Sequence, residues 1–170
     1  MILRKAGYQI SKFDDAGYAF RDRVKEFLDR NVSGDKILDI GSGPWPYPKQ
    51  HFKNVTTLDM QPPADVIGSV LELPFNDASF DCIICLETLE HVTDPLRAMN
   101  EVYRVLKPGG IFVGSAPFAY ELHGEEYGDY WRITRQCWER LLLKKFKNIS
   151  VTPYAGRPLT PGWYMVTGKK

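Results

Sequence analysis

The chain has 170 residues, of which 44% are hydrophobic and 25% charged, with a net charge of +1. That length and balance fit one soluble globular domain with its own core. The near-neutral charge gives no global field toward nucleic acid or an anionic membrane, and no run approaches the ~18 apolar residues of a membrane span.

The opening MILRKAGYQI lacks the apolar stretch of a signal peptide, so a cytoplasmic location is expected. Residues 14–31 read as a helix, with Phe20, Val24, Phe27 and Leu28 at i, i+4, i+7 and i+8. KILDI (36–40), VTTLDM (55–60), ADVIGSV (64–70) and FDCIICLE (80–87) read as four successive strands. Cys82 and Cys85 form a CxxC inside the fourth. Residues three apart on a strand point to opposite faces, so core thiols are expected, and no second CxxC exists to complete a metal site. Asp94-Pro95 starts a helix with Leu96, Met99, Tyr103 and Leu106 on one face, ending at Lys107-Pro108-Gly109-Gly110. IFVGSA (111–116) is the fifth strand. Thr134 caps a helix through about Lys145, and FKNISVTPYA and GWYMVTGK make two closing strands, close enough in sequence to be antiparallel. Strands alternating with helices predict an α/β sheet in a single domain of residues 1–170, with an N-terminal helical segment over 1–31.

The segment ILDIGSGPWPYP (37–48) poses the functional question. A strand ending in Gly-x-Gly suggests a nucleotide-like ligand, but the dinucleotide fingerprint needs a third glycine and a helix N-terminus. Here Pro46 holds the third glycine position, and Pro44, Pro46 and Pro48 remove three amide donors. A pyrophosphate would find a poor cradle, whereas S-adenosylmethionine carries no phosphate. Asp39, Gly41 and Gly43 end the first strand, where the chain turns tightly under a ligand. Asp59, at the end of the second, can accept both ribose hydroxyls, and Ser69, Val70 and Leu71 can offer an adenine slot.

ILDIGSG, TTLDM, LELPFNDASFDCIICLETLEHVTDP and EVYRVLKPGGIFVGSAP together resemble class I S-adenosylmethionine-dependent methyltransferases, of the methyltransferase type 11-like group, over about residues 36–117. The resemblance implies a Rossmann-like seven-stranded mixed sheet in the order 3-2-1-4-5-7-6, its last strand antiparallel, with helices on both faces. It implies that Asp39, Gly41 and Gly43 border the methionine part of S-adenosylmethionine and that Met60 packs on the adenine beside Asp59. Val70 would offer its amide there. Leu86 and Glu87 would floor the sulfonium, with His91 nearby; S-adenosylhomocysteine is the product. Trp45 stands where the family often has a glycine, and Ser69 where an Asp is common. Trp45 and Tyr47 could cover the methionine part or simply pack a proline-rich loop.

The acceptor side is expected in PFAYELHGEEYGDYWRIT (117–134), where five aromatics and four carboxylates fall within Phe118–Trp131. His123 is a candidate base beside His91 and Glu87, and Tyr130, Trp131 and Arg132 are candidate acceptor-pocket groups. Arg132 could equally pair with a carboxylate and anchor the next helix. The expected partner is a small-molecule methyl acceptor, glycan- or lipid-linked acceptors being among the candidates; no metal, nucleic acid or membrane insertion is expected. The alternative is a non-catalytic methyltransferase-like protein supporting a partner.

Overall fold

A computed structural model describes residues 14–124, 126–157 and 160–170. Contacts divide the chain into a short unit ending at Arg30 and a main unit, Asn31–Lys170. The first contains helix α1 (Asp14–Asn31), as the periodicity predicts. Phe20 lies where side chains are outside the description.

The main unit is a seven-stranded sheet in the order β3-β2-β1-β4-β5-β7-β6. Its strands are β1 (Ile37–Ile40), β2 (Val55–Asp59), β3 (Val66–Ile67), β4 (Phe80–Leu86), β5 (Leu106–Pro117), β6 (Lys147–Arg157) and β7 (Thr160–Lys169). β1 lies between β2 and β4, parallel to both, and all four of its residues are buried. Burial on both faces explains why it reads as an apolar run rather than an alternation. β7 runs antiparallel to both β5 and β6, the predicted closing hairpin. Order and strand direction agree with the sequence expectation. Cys82 and Cys85 are buried free thiols. Burial pushes the Cys82 thiol up to about 12 and raises Cys85 as well, so both are inert core groups.

Three local expectations are corrected. β3 shrinks from the expected 64–70 to two residues. The Asp65 carboxylate accepts from the Thr57 amide and hydroxyl at 3.0 Å each, standing in for strand pairing at that end. β5 begins at Leu106 rather than 111: Leu106 pairs with Phe80, then the register jumps so that Cys82 faces Ile111. The intervening Lys-Pro-Gly-Gly is thus a bulge within a strand, with Gly109 at φ +81°. Finally, the expected helix from Thr134 to Lys145 is only α4 (Arg135–Cys137), followed by a wide turn over Trp138–Leu142 in which the Leu143 amide donates to Trp138 O at 2.9 Å. The wider turn brings Trp138, Leu142 and Leu143 all into the core.

Between β1 and β2 lies α2 (Tyr47–His51), only five residues long, with Pro46 at its cap. A 3₁₀ turn, Leu89–His91, follows β4, and α3 (Pro95–Val105) connects it to β5. The buried face of α3 is Ala98, Met99, Val102 and Val105, whereas Leu96, expected on the inner face, is exposed. Asp94 caps α3: its Oδ1 accepts from the Arg97 amide at 2.9 Å. Asp94→Ala is expected to cost about 1 kcal/mol in urea unfolding, and an unchanged midpoint would remove this cap from the helix's stability.

Candidate functional site

The carboxyl ends of β1, β2 and β4 meet at one edge of the sheet, where open α/β folds place their ligands. Gly41 (φ +68°) and Gly43 (φ +50°) both adopt the left-handed backbone favourable to glycine. A Cβ on Gly41 would stand 2.2 Å from Thr88 Oγ1, so the end of β4 closes directly on this turn. Thr88 Oγ1 donates to Ile40 O at 3.3 Å, tying the two strand ends together. At Gly43 the opposite holds: nothing lies within 4 Å of where a Cβ would be, and the space there is open.

Two carboxylates flank that space. Asp59 Oδ2 accepts from the Gly43 amide at 2.9 Å and Oδ1 from the Gln61 amide at 3.1 Å. Asp39 is buried; burial, and then the charge of Asp59, raise its carboxyl to about 7. The Ser42 hydroxyl between the glycines is buried with no hydrogen-bond partner among the described residues. The glycine shelf therefore suits a cation better than a phosphate. The Gly43 amide that could hold a phosphate oxygen is already committed to Asp59, and the surrounding charges would repel a diphosphate. An ammonium and a sulfonium fit this donor set.

Met60 is 75% exposed beside Asp59, an apolar surface for a flat ring. Val70 is buried, and Ser69 Oγ accepts from the Leu71 amide at 3.2 Å, which shapes the turn after β3. Trp45 stacks on Tyr47 at 5.5 Å between ring centroids, and Tyr47 on His51 at 4.8 Å. This is the aromatic packing of a proline-rich loop, one of the two uses open to these side chains.

On the acceptor side, Glu87 follows Leu86 at the end of β4 with φ +44°, uncommon for a residue bearing a side chain. Its Oε1 accepts from Ser115 Oγ at 2.6 Å and its Oε2 from Trp163 Nε1 at 2.8 Å. Burial outweighs these bonds and raises the carboxyl to about 7. Trp163 on β7 and Ser115 on β5 are site residues the sequence reading missed. The only signal was an aromatic residue near the mouth of a late strand. Tyr120 packs on Trp163 at 4.8 Å, adding an apolar wall.

The loop 117–134 is braced by Arg132. Its guanidinium makes a two-pronged pair with Asp129 at 2.6 and 2.7 Å and also donates to the carbonyls of Tyr120, Trp131 and Glu121. All five of its N–H donors are thereby engaged, so Arg132 acts as an anchor, with no donor left over for an acceptor. Its hydrogen bonds hold the Asp129 carboxyl well below the usual range. The Tyr130 and Trp131 amides donate to Glu90 O, and Trp131 Nε1 donates to Val92 O at 2.8 Å, which pins the loop to the turn after β4. Tyr130 and Trp131 are 53% and 43% exposed, and so open to a partner molecule. His91 and His123 lie together, with ring centroids 4.9 Å apart. Both turn Nε2 toward Glu90, which the sequence reading did not single out.

The model of the methyltransferase domain matches residues 38–114. A probable S-adenosylmethionine-dependent methyltransferase of Mycolicibacterium smegmatis is 42% identical over 50 residues, 29% of this chain and 20% of that protein. The ubiquinone biosynthesis O-methyltransferase of Pseudomonas entomophila is 31% identical, the match covering 70% of this chain and 69% of that protein. The chain thus spans between a fifth and about two thirds of these relatives' lengths. In three dimensions the chain is similar to a SAM dependent methyltransferase from Archaeoglobus fulgidus, with TM-score 0.70, 14% identity, and 94% and 97% of the two chains covered. The phosphate-averse glycine shelf, the sheet order and these matches agree, and the chain belongs to the S-adenosylmethionine-dependent methyltransferases.

Proposed function

We propose that this protein moves the methyl group of S-adenosylmethionine to a hydroxyl of a small molecule bound under the loop 117–134. S-adenosylmethionine supplies an activated methyl on a sulfonium, so the protein's task is chiefly to place the acceptor and to receive its proton. Asp39, Gly41 and Gly43 would border the methionine part, and Asp59 would accept the ribose hydroxyls. Met60, Ser69, Val70 and Leu71 would enclose the adenine, and Leu86 would floor the site.

Glu87 is the group best suited to take the acceptor's proton. It is fixed by Ser115 and Trp163, and its carboxyl near 7 leaves a substantial ionised fraction at neutral pH. This pinned carboxylate, next to the closed β1–β4 turn, carries the reading. Tyr120, Tyr130, Trp131 and Trp163 would offer ring surface to a flat or amphipathic acceptor. The Pseudomonas relative named as a ubiquinone biosynthesis O-methyltransferase favours an oxygen acceptor, and a lipid-linked one is compatible with the exposed aromatic residues. Among the described residues no helix is long and apolar enough to cross a membrane.

The test is transfer of labelled methyl from S-adenosylmethionine to a panel of phenols, lipid-linked quinols and nucleotide sugars. Product on a hydroxyl acceptor is expected. Glu87→Gln should then lower kcat by about 100-fold or more while S-adenosylhomocysteine affinity stays unchanged. Tighter binding of NADH than of S-adenosylhomocysteine would defeat the cofactor reading, and an unaltered kcat would remove Glu87 as base.

A further inference from the structure

Glu90, His91 and His123 form a cluster to which the proton-accepting role proposed for Glu87 assigns no task. Glu90 is fully buried, and neither of its carboxylate oxygens has a hydrogen-bond partner among the described residues. Leaving such a group unpaired is costly. What faces it is two imidazole nitrogens: His91 Nε2 lies 3.6 Å and His123 Nε2 3.9 Å from Glu90 Oε1.

The opposite ring nitrogens show which way the protons point. His91 Nδ1 lies 2.5 Å from Gly128 O, a carbonyl, so Nδ1 carries the hydrogen and donates. His123 Nδ1 lies 3.3 Å from Glu121 O and 3.4 Å from Asp129 Oδ2, again facing acceptors. In the neutral rings each Nε2 is then a lone pair. A carboxyl group whose burial favours the protonated form and two imidazole lone pairs converge there, and a cation could take the proton's place. The Arg132 guanidinium, whose charge reaches Glu90, is committed to Asp129 and three carbonyls.

Such a constellation calls for a cation. One candidate ligand atom from each residue can be chosen so that all three lie within 4.8 Å of one another. Ligand bonds of about 2.0–2.2 Å put neighbouring atoms about 3.4 Å apart around a tetrahedral zinc ion, so small side-chain rotations close the set. The surroundings match the support that metal-binding histidines receive, with the outer nitrogen held by a carbonyl or carboxylate. Tyr127 packs edge-on against His91 at 4.8 Å and Tyr120 against His123 at 5.6 Å, fixing both ring planes. Gly124, at φ +72°, lets the loop close over His91: a Cβ there would stand 3.0 Å from the ring.

We infer that Glu90, His91 and His123 bind one divalent transition-metal ion of the zinc class, leaving a coordination position for water or an acceptor oxygen. The site joins the turn after β4 to the loop 117–134. It does not depend on which acceptor is methylated.

The test uses the full chain, stripped by chelator and titrated with Co2+ alone. One equivalent should bind, with visible ligand-field absorption that Zn2+ abolishes by displacement. His123→Ala, on a part-exposed loop, should fold normally and lose affinity by more than about 100-fold, as should Glu90→Gln. His51→Ala, outside the cluster, should bind as the wild type does. Zinc should also raise the Tm of the wild type but not of His123→Ala. Absence of a stoichiometric cobalt spectrum, or equal affinity in His123→Ala, would overturn the inference, whatever happens to S-adenosylhomocysteine binding.

Discussion

Asp59→Ala should raise the dissociation constant for S-adenosylhomocysteine by about 100-fold or more in calorimetry. Two hydrogen bonds to a charged carboxylate, at about 1.5–3 kcal/mol each, set that scale. Asp59 also holds the Gly43 and Gln61 amides, so the shelf loosens when its side chain is lost. One effect works the other way. The charge of Asp59 helps to raise Asp39, and its removal lets Asp39 ionise more readily beside a cationic ligand. The measured loss is therefore a lower bound on what Asp59 contributes. Asp59→Asn, which keeps one oxygen, should fall between wild type and Ala. His91→Ala should stay within about twofold, because its Nε2 faces Glu90. Equal affinities for wild type and Asp59→Ala would dissolve the ribose assignment.

The strands and the glycine shelf were legible because they rest on short-range pattern, and the order of the sheet came from the family resemblance. Apolar runs of four to eight residues, Gly41 and Gly43 after β1, and Asp59 closing β2 all lie within a few residues of the feature they mark. What was hidden depends on partners far along the chain. β3 is short because the Asp65 side chain takes Thr57, a competition invisible to propensity. Of the two readings open for Arg132, pocket cation or carboxylate-paired anchor, the pair with Asp129 fits the second. The carbonyls that take its remaining donors are brought near only by the folded loop. Trp163 read as a strand aromatic until its indole met Glu87 from 76 positions away. Glu90 stood inside Leu-Glu-His with nothing to mark it. Only the fold brings the amides of Tyr130 and Trp131, some forty positions on, back onto its carbonyl.

Asp39 should make both stability and cofactor binding depend on pH, in opposite senses. Its folded value near 7, against an ordinary 3.8, means that the native state holds a proton the unfolded chain has released. Between these values stability falls as pH rises, by about 1.4 kcal/mol per unit and about 4 kcal/mol across the whole window. Asp39→Asn should therefore match wild type near pH 4 and be more stable above pH 7, as read by urea unfolding at both ends. Binding runs the other way, since an ammonium beside Asp39 favours the ionised carboxylate and expels the proton. If only that form binds, affinity for S-adenosylhomocysteine should rise about 25-fold between pH 5.5 and 7.5. In Asp39→Asn the profile should be flat over the same range, with weaker binding throughout. Parallel profiles in the two proteins would mean that the titrating group is elsewhere. A matching pair of slopes, one in stability and one in affinity, would locate the tension in one buried carboxylate, kept at a cost to the fold because the ligand's charge relieves it.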